Sequence, residues 1–261
     1  MRSPRLLPAA AASALAALLA GCSSDDGTGL DCDPATTLTL TVGVQVSDAI
    51  DKGHCISEGD PGDLFTLTVA QTSVLRFTAT SSAFPPEISI AKPGSPASAD
   101  DEVAFVAGSP ARTVVILSPG TYLIDIQSSN SSVGAYTLAT ESVGLNACYH
   151  GTSSNIFVVP GQTISSEITM QDCPAPGGAH TETYTVRLRA GRSYTFTATT
   201  SAISQFNLLF GTGSQSLAGA GVITTDGSET ITYTPTTSGY YLITLGPIGG
   251  RFGTYTLSVT P

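Results

Sequence analysis

The chain repeats itself when its sequence is moved along by 119 residues. Three separate blocks align at this one offset without a gap. They are FTATSSA (77–83) with FTATTSA (196–202), GTYLI (120–124) with GYYLI (239–243), and GAYTL (134–138) with GTYTL (253–257). A single offset that joins three blocks is not a chance match. The sequence therefore predicts two copies of one domain, repeat 1 at 29–141 and repeat 2 at 142–261, each of a common domain size.

Both repeats predict strands. FTLTV (65–69) and YTVRL (184–188) alternate apolar and polar residues, which is typical of a half-buried strand. Turn residues such as those at 118–120 separate such segments at short intervals, and no convincing helical window is found outside the N-terminal segment. We therefore predict an all-β fold of two tandem antiparallel β-sandwiches, jelly-roll-like in architecture.

The N-terminus has the pattern of an export signal. Arg2 and Arg5 precede an apolar run, 6–20, that is too short to span a membrane. The run ends in LAGC, which resembles the lipobox of bacterial lipoproteins and would place the acyl chains on Cys22. We predict a lipoprotein signal peptide at 1–21 and a flexible tether at 22–28. An ordinary cleaved signal with a spare cysteine is the alternative.

This pattern predicts an exported protein anchored by lipid to the bacterial cell envelope. The serines after Cys22, rather than an immediate Asp, favour the outer membrane if the cell has one. The partner at this end of the chain would therefore be the membrane, contacted through the lipid.

The other four cysteines, Cys32, Cys55, Cys148 and Cys173, are expected to pair in an oxidising compartment. Three connectivities are open. Each repeat has its own early pair of cysteines, so we favour Cys32–Cys55 and Cys148–Cys173. A four-cysteine zinc site is the rival interpretation, but paired CxxC motifs are missing.

Charge excludes one class of partner and suggests an internal contact. The net charge is −10, with ten lysines and arginines, so a nucleic-acid partner is not expected. Residues 22–141 contain fifteen acids and four bases, whereas 142–261 contain five acids and four bases. Arg187 and Arg189 alternate with apolar residues and should project together. They form either a solvated strand face or a basic strip that meets the acidic repeat or an acidic ligand.

The repeated strands resemble a known family. The order is Y/F-x-L/V-x-L/V, then FTAT, then S/P-G-x-Y-x-I-x-I/L, and last G-x-Y-T-L. This order resembles the bacterial pre-peptidase C-terminal (PPC) domain, a compact β-sandwich often attached to secreted proteases and collagenases. The resemblance covers most of both repeats and implies an accessory module; some members bind calcium, collagen or polysaccharide. Here two copies stand without a protease beside them, which puts a protease-linked role in doubt.

Residues with catalytic or metal-binding chemistry are sparse. The chain has no HExxH, GxSxG, P-loop or dinucleotide motif. Its three histidines, His54, His150 and His180, are scattered and have no acid or nucleophile partner that recurs in both repeats. We interpret them as surface histidines, while a catalytic triad that uses one of them stays open.

One acidic loop is a candidate calcium site. Asp100, Asp101 and Glu102 offer hard oxygen ligands, and the resembling family often has acids in this loop. The counterpart in repeat 2, 220–224, has none, and a solvated charge run is the alternative. No other cofactor is expected.

From these patterns we expect a non-enzymatic cell-envelope lipoprotein. Its tandem PPC-like sandwiches would serve binding, adhesion or assembly, with a polysaccharide or an envelope or matrix protein as ligand. A solute-binding lipoprotein and an envelope hydrolase with an unrecognised site are the alternatives.

Overall fold

The computed structural model describes residues 33–34, 37–51, 54–57, 60–92, 102–144, 156–170, 172, 180–200, 205–212, 215–224, 227–247 and 252–261. These residues belong to one compact unit, Cys32–Pro261. Within the described ranges no helix has the length and apolarity that crossing a membrane requires.

All regular elements described are strands. In repeat 1 they are β1 (Asp33–Pro34), β2 (Leu38–Leu40), β3 (Gln45–Ile50), β4 (His54–Ser57), β5 (Asp60–Val69), β6 (Ser73–Ser81), β7 (Pro86–Ala91), β8 (Glu102–Ala107), β9 (Ala111–Leu117), β10 (Gly120–Ser128) and β11 (Gly134–Ser142). In repeat 2 they are β12 (Ile156–Val158), β13 (Thr163–Ile168), β14 (Glu182–Leu188), β15 (Tyr194–Thr200), β16 (Gln205–Thr212), β17 (Gln215–Thr224), β18 (Gly227–Tyr233), β19 (Gly239–Pro247) and β20 (Gly253–Thr260).

The strands form three sheets. A seven-stranded sheet has the order β1-β4-β5-β10-β7-β8, with β2 paired to β5. A four-stranded sheet has the order β13-β20-β15-β18, and a nine-stranded sheet has the order β17-β16-β19-β14-β12-β9-β6-β11-β3. The all-β prediction is confirmed.

The nine-stranded sheet joins the two repeats. Strand β12 pairs in parallel with β14 of its own repeat and with β9 of repeat 1. Two half-sheets that are not equivalent, β9-β6-β11-β3 and β14-β19-β16-β17, therefore become one sheet. Most strand pairs are antiparallel, as expected, whereas β1–β4, β2–β5 and both pairings of β12 are parallel.

Two apolar clusters lie between the sheets, and each takes residues from the other repeat. The cluster of repeat 2 includes Val114 and Ile116 of β9, and the cluster of repeat 1 includes Phe157 of β12. Strand β9 is therefore buried on both faces from Thr113 to Leu117. The two clusters thus share side chains across the junction between the repeats. The predicted domain boundaries stay a prediction.

Candidate functional site

Two surface grooves lie at equivalent places in the two repeats. The groove of repeat 1 has a volume of about 790 Å³ and lies across β3, β11 and β6; the groove of repeat 2 has about 450 Å³ and lies across β13, β20 and β15. Four pairs of identical residues line the two grooves at matching positions. They are Ser47 and Ser165, Thr80 and Thr199, Tyr136 and Tyr255, and Thr137 and Thr256.

Strand alternation places the hydroxyls on these surfaces. In β20 the burial pattern alternates, so that Thr254 and Thr256 are exposed while Tyr255 and Leu257 are buried. Cross-strand register then aligns Thr256 with Ser165 on one side and with Thr199 on the other. In repeat 1 the hydroxyl oxygens of Thr80 and Thr137 lie 2.6 Å apart. Most of the side chains that line the two grooves carry a hydroxyl group.

A buried carboxylate lies behind the groove of repeat 2. Glu182 begins β14 and is 5% exposed. The hydroxyls of Tyr184 and Tyr255 donate to its Oε2, the former at 2.7 Å, and the Ser166 hydroxyl donates to its Oε1 at 3.1 Å. Burial raises the pKa of Glu182 above the usual value and raises the pKa of both tyrosines.

Repeat 1 has a similar arrangement. Asp63 stands 119 residues before Glu182 and is also buried. The Tyr136 hydroxyl donates to its Oδ2 at 2.7 Å. Burial is the main cause that raises the pKa of Tyr136, and the hydrogen bond to Asp63 adds to it. In repeat 1 Asp48 takes the strand position that Ser166 occupies in repeat 2.

These acid–tyrosine pairs have the chemistry of structural networks. The carboxylate of Glu182 already accepts three hydrogen bonds from side chains of its own repeat, which offset part of the cost of its burial. A general acid or base needs a proton path to a substrate. The side chains that line the grooves include hydroxyls and the carboxylates of Asp48 and Glu167, all of which can form hydrogen bonds.

A second polar cluster lies between the repeats. Arg187 of β14 forms an ion pair with Glu102 of β8, and the Tyr240 hydroxyl donates to the same carboxylate at 2.8 Å. The Tyr240 ring packs edge-on against Phe157 with centroids 5.5 Å apart. Of the two predicted outcomes for the basic strip, contact with the acidic repeat is therefore correct for Arg187, whereas Arg189 is exposed.

Most residues predicted for the lipid anchor, disulfides and calcium site lie outside the described part. This holds for Cys22, Cys32, Cys148, Cys173, Asp100 and Asp101. Cys55 lies in β4, whose backbone alone is described. The disulfide and calcium predictions stay predictions. Glu102, the described member of the calcium set, binds Arg187, and the described residues contain no group of three metal-ligating side chains.

The histidines are not brought together with a nucleophile in the described structure. The His180 ring lies 2.7 Å through Nδ1 from the backbone oxygen of Asp172 and packs against Phe252. His54 lies in β4, where only the backbone is described, and His150 is outside the described ranges.

Sequence reasoning missed the buried carboxylates. Their signal was present, because the 119-residue offset places Asp63 opposite Glu182 and Tyr136 opposite Tyr255. An acid that recurs two residues before a strand aromatic in both repeats indicates a buried polar pair. The repeat was established from its apolar blocks alone, so the matching acids were not recognised.

Comparison with known proteins gives distant structural likenesses. No protein-family model matches the chain, and no curated protein matches it. The pre-peptidase C-terminal domain of a Bacillus anthracis collagenase aligns at 13% identity and a TM-score of 0.34, over 41% of this chain and 97% of that one. Aeromonas hydrophila PliG, a periplasmic inhibitor of g-type lysozyme, aligns at 16% identity and 0.32, over 43% and 100%.

A third structure, the PBSX exported protein XepA, aligns at 12% identity and a TM-score of 0.23, over 85% of this chain and 88% of that one. At these TM-scores the likenesses assign neither a family nor a function. The fold itself defines the class of protein, which is an all-β protein of two fused sandwich-like repeats.

Proposed function

We propose that the protein is a non-enzymatic binding module of the cell envelope and that the twin grooves are its ligand-binding surfaces. The observation that supports this most is the recurrence of one groove, with the same serine, threonine and tyrosine positions, in both repeats. Strand propensity favours serine and threonine at outward positions in general, but it does not require the same residue at the same position in two diverged copies. A shared ligand chemistry would favour such matching.

The groove chemistry favours a neutral, hydroxyl-rich ligand. Serine and threonine hydroxyls donate and accept hydrogen bonds, as sugar hydroxyls do. Each such bond contributes only about 1 kcal/mol net in water, so useful affinity needs several at once. A polysaccharide presents repeated hydroxyls to both grooves of one chain and gains avidity from simultaneous binding. A polysaccharide of the envelope or its surroundings is therefore the proposed ligand class.

The proposed location follows from the N-terminal sequence. A signal peptide with Cys22 as the lipid-modified residue would place the repeats on the envelope, beyond a short tether. In that position a low-affinity module meets a locally concentrated polymer. The lipid anchor and the envelope location are parts of this proposal.

Two other functions remain as competing outcomes. A solute-binding protein would need a ligand enclosed on most sides, whereas both grooves are open to solvent. An envelope hydrolase would need a nucleophile beside a base; the Ser166 hydroxyl donates to the buried Glu182 carboxylate at the groove of repeat 2, so turnover of the ligand is the result that would favour this alternative. Both alternatives predict results different from those of a surface module.

Retention of the purified protein on insoluble cellulose, chitin and starch, with alginate as an acidic comparison, tests the proposal. Thr80→Val with Thr137→Val alters the first groove, and Thr199→Val with Thr256→Val alters the second. Valine keeps the shape and removes the hydroxyl. Each pair should weaken retention on a neutral glycan by about tenfold, the effect of losing roughly 1.4 kcal/mol.

The matched control is Thr68→Val with Thr121→Val. These exposed threonines form the same kind of pair, with hydroxyl oxygens 3.5 Å apart, on the opposite sheet of repeat 1. The control should bind as the unsubstituted protein does. Retention that is as strong in both groove variants as in the unsubstituted protein would refute the proposal, and turnover of the glycan would favour the hydrolase.

A further inference from the structure

At the junction, repeat 2 contacts repeat 1 through the outer edge of β12. The outer edge of β2 is the counterpart of this edge in repeat 1. Strand β2 pairs in parallel with β5 through Leu38 and Phe65, as β12 pairs with β14 through Ile156 and Tyr184. The turn that follows is also the same. Gly43 and Gly161 both have positive φ, 84° and 98°, and donate to the backbone oxygens of Thr140 and Val259 at 2.6 Å.

In repeat 2 this edge is buried against repeat 1. Ile156 is 5% exposed and aligns with Val114 of β9. Gln162, just after the turn, is 7% exposed. Its side-chain amide donates to the backbone oxygen of Ile116 at 3.1 Å and to the Ser118 hydroxyl at 2.8 Å. The edge of β12 and the turn after it therefore form the contact surface of the internal junction.

In repeat 1 the corresponding surface is exposed and apolar. Leu38 takes the position of Ile156 and is 37% exposed, and Val44 takes the position of Gln162 and is 51% exposed. Val42 between them is 38% exposed. Within the described sheets, β2 has β5 as its partner and no strand on the opposite side. A junction surface is thus present without the neighbour that covers it in repeat 2.

The counterpart of β9 in repeat 2 is also present, and within the described sheets its outer edge has no partner strand. Strand β18 takes in repeat 2 the position of β9, because Phe77 aligns with Thr113 and its counterpart Phe196 aligns with Ile231. β18 is the last strand in the order of the four-stranded sheet. By this equivalence Thr232 occupies the place of Val114, whose partner at the junction is Ile156.

We propose that the chain associates head to tail with a second copy of itself, the β2 edge of one copy pairing in parallel with β18 of the next. The internal junction supplies the template, since it joins the equivalent strands in the same orientation. The contact is heterologous, and repetition gives an open linear assembly. This proposal concerns a different surface from the grooves and goes beyond the proposed ligand binding.

The chemistry of β18 sets the strength of the contact. Thr232 and Thr234 stand where β9 has Val114 and Ile116, and Thr39 of β2 stands where β12 has Phe157. Threonine methyls bury less apolar surface than these side chains, so the contact is weaker than the internal junction. Association should therefore be reversible and depend on concentration, as it would be for chains crowded on one membrane.

Paired single substitutions test the orientation directly. Leu38→Cys in one sample and Thr232→Cys in another introduce thiols on exposed positions that the proposal brings onto neighbouring strands, within disulfide distance. Oxidised mixtures of the two full-length variants should form a covalent dimer absent from either variant alone and from the unsubstituted chain. A dimer formed by Leu38→Cys alone would show a symmetric contact and overturn the head-to-tail arrangement.

Sedimentation over a concentration series tests the surface in the unlabelled protein. Val44→Lys should raise the dissociation constant for self-association at least tenfold, since a lysine replaces an apolar contact. Phe105→Lys, at an exposed position on β8, is the matched control and should leave it unchanged. A monomer at every concentration, together with no mixed cross-link, would overturn the proposal while leaving the groove experiment unaffected.

Discussion

Arg187 of the second repeat and Glu102 of the first form an ion pair whose side chains are 14% and 18% exposed. Ser89 also donates to Glu102, at 2.9 Å. The ion pair is thus shielded from solvent, and the hydroxyls of Ser89 and Tyr240 both donate hydrogen bonds to the Glu102 carboxylate. It couples β14 to β8, two strands that do not share a sheet.

The first prediction concerns the stability of this contact. Arg187→Ala and Glu102→Ala should each lower the free energy of unfolding by about 1–3 kcal/mol, because each leaves a half-buried charge without its partner. Losses in the double variant should fall short of the sum. Denaturant titration measures all three. Arg76→Ala, which breaks a more exposed ion pair with Glu141, is the control and should cost less than about 1 kcal/mol.

The second prediction concerns the pH dependence of stability. Burial, together with Glu87 and Glu102 nearby, raises the pKa of Asp125 to about 7, and its Oδ1 has no hydrogen-bond partner. The unfolded chain should release this proton near pH 3.9. Between these values the folded state binds more protons, so this residue's contribution to stability falls as pH rises from about 4 to 7.

Asp125→Asn should therefore gain stability relative to the unsubstituted protein as the pH rises, by roughly 4 kcal/mol at pH 8 against little at pH 4. Urea titrations at several pH values measure the difference. Glu167→Gln, at an exposed carboxylate, should show no such trend. Parallel pH curves for Asp125→Asn and the unsubstituted protein would contradict the assignment.

The third prediction concerns the buried acids. Tyr255→Phe and Tyr136→Phe each remove one donor to a buried carboxylate, Glu182 or Asp63, and should lower the free energy of unfolding by about 1–3 kcal/mol. Tyr122→Phe is the control, because the Tyr122 hydroxyl donates to a backbone oxygen at the turn residue Ser118 rather than to an acid. An equal, small effect at all three positions would contradict an extra contribution of the tyrosine–carboxylate hydrogen bonds to the free energy of unfolding.

The repeat let the sequence predict which residues are equivalent, but not how the repeats join. The alternation in FTLTV and YTVRL identified the strands β5 and β14 correctly. The junction depends on β12, a strand of three residues whose offset is 118 rather than 119, so the alignment lost it. By their sequence position Val114 and Ile116 belong to repeat 1, but their side chains pack into the apolar cluster of repeat 2.

The grooves were harder still to predict from sequence. Their lining comes from outward positions of three strands, where serine and threonine are explained equally well by strand propensity. Only the cross-strand register, which aligns Ser165 with Thr256 and Ser47 with Thr137, brings them into one surface. The sequence predicted on which face of its strand Arg187 lies, and the structure identified Glu102 as its ion-pair partner.

The fourth prediction concerns the cysteines. Peptide mapping of the non-reduced protein should find Cys32 linked to Cys55 and Cys148 linked to Cys173, with each bond contributing roughly 3 kcal/mol by constraining the unfolded chain. Free thiols at these positions, or a link between the repeats, would contradict the pairing within repeats.

The number of ligand sites per chain tests the central claim most directly. Calorimetric titration with soluble oligosaccharides of the glycan that retains the protein should give two sites per chain. It should give one site when Thr80 and Thr137, or Thr199 and Thr256, are replaced by valine, and none when all four are replaced. Unchanged stoichiometry in the fourfold variant would contradict the claim that the twin grooves bind the ligand.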